Sequence, residues 1–171
     1  MSVRILGLDP GSQATGFGVI DWTDGRASYV TSGAIRTRGT EFPPRLRQIF
    51  EGVLELMQSY RPAEVAVERV FMHRNADSAL KLGQARGAAL CAAFSGQPDV
   101  FEYAPREVKL AVVGQGGAQK EQVQLMVKTL LRLTGDIGPD AADAIGIALC
   151  HAYSREARLA VGAGLAPRVG A

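Results

Sequence analysis

The chain has 171 residues, 47% of them hydrophobic, and a formal net charge of +2. That length fits one compact domain, and the composition excludes a disordered or fibrous chain. No apolar run approaches the about 20 residues needed to cross a bilayer. The chain enters a strand almost at once with no signal peptide, so the expected location is the cytoplasm. Cys91 and Cys150 sit in apolar runs. Both read as small buried residues in a reducing compartment, and no cysteine/histidine spacing suggests zinc.

Val3 to Asp9 is a short apolar run ending in Asp-Pro-Gly-Ser, which predicts a buried strand entering a turn. Gly16 to Trp22 predicts a second strand. Asp24-Gly25 tolerates the positive φ of a hairpin turn, and Ala27 to Ile35 follows as an antiparallel third strand. Pro43 and Pro44 suit the first turn of a helix. Leu46, Ile49, Phe50, Val53, Met57 and Tyr60 form its apolar face, and Pro62 stops it. Glu64 to Val70 is the next strand. Asn75 or Asp77 caps a long Ala/Gly-rich helix ending near Phe94. Val100 to Tyr103 is a short strand, and Val123, Met126, Val127, Leu130 and Leu133 mark another helix. Pro139 opens the last helix, with Ala144, Ile145, Ala148, Leu149 and Ala152 facing inward. Residues 159–171 are Ala/Gly/Pro-rich and are expected to be a disordered tail behind a 1–158 domain. The order of elements predicts an α/β fold, a mixed sheet flanked by helices.

Glu68 lies inside an otherwise apolar strand. A lone ionised carboxylate there is costly, so it is paired or binds metal. Asp9 ends the first strand, where ligand sites gather in open sheets with crossover helices. If the two strands are neighbours they lie about 4.8 Å apart, and two carboxylates at that distance repel unless a cation intervenes. Asp140 and Asp143 share one face at the start of a helix. Acids favour helix N-termini, which accounts for Asp140 better than for Asp143 among its alanines. Four acids without a catalytic histidine or cysteine point to hard cations, and two Mg²⁺ ions can activate water and stabilise a leaving oxygen in phosphoryl transfer.

His151 is eight residues beyond Asp143, roughly 12 Å further along the helix, too far for a shared metal. His73 reads as a solvated loop residue. The glycines before Lys120 lack Walker A spacing and predict a flexible loop. Ala79, Gly83 and Gly87 form a small-residue stripe that allows close helix approach, within the fold or between subunits.

Together, ILGLDPGSQATGFGVI, VERVFMHRNADSALKLGQARG, VFEYAPREVKLAVVGQGGAQKEQV and DAADAIGIA resemble the RuvC family of Holliday-junction resolvases, from Ile5 to about His151. The resemblance implies a ribonuclease-H-like fold with a five-stranded sheet. It implies that Asp9, Glu68, Asp140 and Asp143 are the catalytic metal-binding acids, holding two Mg²⁺ per subunit, with Mn²⁺ able to substitute. It implies that Phe71 approaches the junction, where stacking on a base is worth roughly 1–3 kcal/mol. Lys109 and Lys120 match basic positions that contact DNA or support catalysis. Arg74, Lys81 and Arg86 are further candidate DNA contacts, with Arg36, Arg38, Arg45, Arg47 and Arg69. Expected partners are four-way junction DNA, a second copy in a homodimer, and the RuvA and RuvB branch-migration proteins. Two alternatives stand beside this reading. An actin-like ATPase would share the Asp-Pro-Gly-Ser turn, but the chain is too short for two lobes. A non-catalytic branched-DNA binder would gain nothing from clustered acids.

Overall fold

The computed structural model describes residues 2–69 and 75–165, with side chains described as far as residue 160. Five strands, β1 (Val3–Asp9), β2 (Ala14–Thr23), β3 (Arg26–Arg36), β4 (Glu64–Glu68) and β5 (Asp99–Tyr103), form one sheet in the order β3-β2-β1-β4-β5. The first three make an antiparallel meander, and β4 and β5 run parallel to β1. Asp24 and Gly25 both have positive φ (49° and 79°), as the two-residue hairpin turn requires.

Helix α1 (Phe42–Tyr60) starts at its prolines and ends where Arg61 turns left-handed before Pro62. Its buried residues are Ile49, Val53, Leu56 and Met57, whereas Phe50, expected on that face, is exposed. Helix α2 (Ala76–Ala93) is capped by the Asn75 side chain, which accepts the Ser78 N–H at 3.2 Å. It meets the core through Ala85, Ala89, Ala92 and Ala93. Cys91 falls on its outer side and is exposed, contrary to the expectation of burial. Cys150 is buried, and burial pushes its thiol up to about 12.

Helix α3 (Pro105–Val113) is an element the chain-order reading does not contain. Its start follows local rules: Pro105 occupies the first turn and the Glu107 carboxylate accepts the Ala104 N–H. Helix α4 (Lys120–Leu130) follows. Helix α5 (Pro139–Leu165) continues well past Arg158, so part of the expected tail is helical. Alanine and leucine in LAVGAGL explain that continuation.

Strand alternation sends residues to two cores. Leu6, Leu8, Val19, Val65 and Val67 pack under α1 and α2, while Ile5, Ile20 and Ala66 pack with α3, α4 and α5. Helix α5 lies directly on strand backbone. A Cβ on Gly7 would sit 2.0 Å from the Ala144 carbonyl oxygen, and one on Gly16 would sit 2.1 Å from that of Asp140.

His151, fully buried at 0% exposure, anchors the middle of α5. Its Nδ1 lies 2.7 Å from the Tyr103 hydroxyl and its Nε2 lies 2.6 Å from Glu64. Arg155 donates to the same carboxylate at 2.8 Å, and Arg158 donates to the Tyr103 hydroxyl oxygen at 3.2 Å. Burial lowers the His151 pKa despite Glu64, so the ring is neutral, donating from Nε2 and accepting at Nδ1. Burial works to raise the Glu64 carboxyl, but hydrogen bonds from Arg155 and His151 outweigh it and hold that group below its ordinary value.

Because the His151 pKa is depressed in the fold, the contribution of the ring is present above its ordinary value of 6.5. It is lost as pH falls, since the unfolded ring takes a proton the folded one refuses. His151→Gln is expected to lower the thermal unfolding midpoint by roughly 5 °C at pH 7.5, from a partner loss of about 1–3 kcal/mol. The gap from wild type should shrink toward pH 5, as calorimetry across that range would show; a gap independent of pH contradicts the assignment.

Candidate catalytic carboxylate cluster

The parallel register of β1 and β4 sets Leu8 opposite Val67. One residue further along lie Asp9 and Glu68, at the carboxyl ends of two neighbouring strands. On the other side of Asp9 the register places Gly16, whose missing side chain admits the Asp140 carbonyl. That contact sets the first turn of α5 over the strand ends, with Asp143 one turn on. Asp9, Glu68 and Asp143 line a cleft of about 190 Å³ together with Lys109 and Lys120. Pro105, Val108, Val123 and Ile147 supply its apolar wall, so unread helix α3 forms one side of the site. Asp140 faces the adjoining groove along β3, with Arg36 at 3.7 Å.

The acids oppose one another. Burial, then repulsion from Glu68, Asp143 and Asp140, raises the Asp9 pKa to about 7. Burial and Asp143 also raise that of Glu68. The Lys120 ammonium lies 2.6 Å from Asp143 and works against both shifts. Among the described residues, no three ligand-type side chains converge tightly enough to grip an ion as they stand. Lys120 and Arg36 supply the positive charge instead. The donor set fits a hard divalent cation: it is all oxygen, mutually repelling and already satisfied in part by a cation.

The remaining candidates are scattered. Lys81 pairs with Asp77 one turn away on α2 at 2.7 Å. Arg86 points into the protein, toward Glu102 and the Glu68 carbonyl. Phe71, His73 and Arg74 lie outside the described residues. Sequence reasoning treated Arg36 only as one of many phosphate contacts and missed its pairing with Asp140.

A family model described as crossover junction endodeoxyribonuclease RuvC matches residues 5–151. The chain belongs to the RuvC family. The family's crossover junction endodeoxyribonuclease from Methylococcus capsulatus is 56% identical over 153 residues, covering 90% of this chain and 92% of that protein. The solved Thermus thermophilus RuvC is similar at 36% identity and a TM-score of 0.79, covering 90% of this chain and 96% of that one. The same protein in complex with a Holliday junction substrate reaches 37% and 0.84, covering 91% and 96%. These RuvC structures agree with the expected ribonuclease-H-like fold.

A raised pKa means that Asp9 favours the fold while protonated, and this contribution is lost as pH rises through about 7. Asp9→Asn is therefore expected to raise the unfolding midpoint of the metal-free protein by roughly 5 °C at pH 8. Near pH 4 it should change little. Saturating Mg²⁺ should reverse the ranking, because only wild type keeps the full ligand set. Scanning calorimetry with chelator and with Mg²⁺ checks all three; a destabilised metal-free variant at pH 8 would refute the repulsion.

Proposed function

We propose that this chain resolves four-way DNA junctions by paired symmetric nicks, as a metal-dependent endonuclease of recombination and repair in the cytoplasm. The observation that carries the reading is the meeting of Asp9, Glu68 and Asp143 in one cleft beside two lysines, in a chain of this family. Asp140 completes the ligand set from the next groove. When bound, a pair of Mg²⁺ ions, or Mn²⁺ in their place, supplies an activated water and stabilises the departing oxygen of the phosphodiester. The four carboxylates hold that charge. The apolar wall keeps bulk water away and strengthens each electrostatic contact inside. Lys120 and Lys109 stand where a scissile phosphate would enter, so phosphate competes with Asp143 for the Lys120 ammonium. Phe71 extends the DNA contacts by family resemblance, and Arg74 and Lys81 are further candidate contacts by their charge. Partnership with RuvA and RuvB rests on the same resemblance.

Asp143→Asn should reduce junction cleavage in Mg²⁺ to background while leaving junction binding within about threefold. Synthetic junctions labelled on one strand at a time read both quantities, and ordinary cleavage by the variant refutes the ligand role.

Two opposed strands must be cut, and each chain holds one carboxylate set, so the active species is a C2 homodimer whose symmetry matches the junction. The outer side of α2 supports this. Nothing lies within 4 Å of a Cβ added at Gly83 or Gly87, and Leu80 on the same helix is 66% exposed. Gly83→Glu with Gly87→Glu is expected to leave the chain folded, with its helical circular dichroism intact, since both sites are open and glycine is a poor helix former. Sedimentation should shift to the monomer and paired nicking should fall at least tenfold. A variant that still sediments as a dimer would place the interface elsewhere.

A further inference from the structure

Arg86 has the sequence signature of a phosphate contact and the geometry of something else. It sits on the sheet side of α2, with a side chain only 19% exposed. Its Nε donates to the Glu68 backbone carbonyl at 3.3 Å. Its Nη2 pairs with the Glu102 carboxylate on β5. The charge is therefore matched within the fold, and one prong of the guanidinium is committed to the catalytic strand.

The place it grips is where β4 needs support. Pairing with β1 stops at Leu8–Val67, one residue before Glu68. On the other side Glu68 is opposite Tyr103, and the Arg69 N–H donates to the Tyr103 carbonyl at 2.7 Å. The Arg69 guanidinium reaches the Glu102 carbonyl at 3.4 Å. Glu68 is thus the last strand residue, held by β5 on one side and by Arg86 from the helix layer. A planar guanidinium fork fixes two acceptors in one orientation, which a lysine ammonium does not. A misplacement of about 1 Å at a reacting centre can cost on the order of 100-fold in rate.

We infer that Arg86 is a positioning residue for catalysis, a clamp from α2 through Glu102 that holds the end of β4 and with it the direction of the Glu68 carboxylate. The inference rests on the proposed nuclease role of Glu68.

The test uses the full chain, a synthetic four-way junction and three variants: Arg86→Ala, Arg86→Lys and Glu102→Gln. The clamp requires that Arg86→Ala and Glu102→Gln each slow single-turnover cleavage about tenfold or more at saturating protein. Junction affinity and its salt dependence should stay within about twofold, and Arg86→Lys should not restore the rate. Glu102→Gln separates the two roles by sign. Removing an acid beside a DNA contact would tighten binding and leave cleavage as fast or faster, whereas removing half of a clamp slows it. The inference is overturned if Arg86→Ala weakens binding with a salt slope smaller by about one. It is also overturned if Arg86→Lys cleaves normally or Glu102→Gln loses no rate. Should Arg86→Ala fail to fold, Glu102→Gln decides alone. If the unaltered protein makes no nicks, the nuclease reading fails instead. The clamp is then read from Mg²⁺ affinity by calorimetry, expected to weaken at least threefold in Glu102→Gln and overturned by an unchanged value.

Discussion

The site depends on a helix lying against strand backbone with almost no side chain between them. Gly7, Gly16 and Gly18 present bare backbone to α5, and each would collide with it if it carried a Cβ. Helices usually pack on sheets through a layer of side chains. Here the alanines of α5 and the glycines of β1 and β2 remove that layer where Asp140 and Asp143 must come down beside Asp9. The acids come from three stretches of chain, and this close approach unites them.

What the approach assembles is electrostatically unfavourable by itself. Burial, with repulsion from the neighbouring acids added to it, lifts Asp9 to about 7, the cost of placing acids together in a partly dry cleft. Lys120 and Arg36 relieve some of it within the chain. The middle of α5 follows the opposite policy. There Glu64, His151, Tyr103, Arg155 and Arg158 satisfy one another, and among the described residues no buried side-chain polar atom lacks a partner. One helix thus carries a self-satisfied polar network that holds it in place and, about two turns away, part of a mutually repelling cluster of acids.

Much of this was legible in the sequence. Asp-Gly marked the hairpin, Pro43 and Asn75 marked two helix starts, and Glu68 was conspicuous because a charge in a core strand needs a reason. Other features were legible only in part. Helix α3 escaped because VKLAVV has no clear helical period and the helix is short, although Pro105 and Glu107 are start signals. Arg86 was counted among the candidate DNA contacts because composition records charge and not direction; its two acceptors, the Glu68 carbonyl and the Glu102 carboxylate, carry no sequence mark that pairs them with it. Gly16 inside a strand signals close approach by something, but the approaching group, the Asp140 carbonyl, is more than a hundred residues away in the chain. Cys91 was assigned to the core by type and Phe50 by its place on the periodic face of α1, whereas both are exposed because each sits past the edge of its helix's buried stripe.

The contact at Gly16 also bears on how the molecule can move. A side-chain layer works as a cushion: rotamers adjust and a helix slides by fractions of an ångström. Carbonyl oxygen against bare backbone has no such give. Helix α5 and strands β1 and β2 must therefore shift as one stiff body, which keeps Asp9, Asp140 and Asp143 in fixed relation, whereas Glu68 on β4 is tied to α2 through Arg86. Three of the four acids thus keep their spacing by direct backbone contact, with no adjustable layer to absorb a displacement, and only the fourth answers to a side chain from another helix.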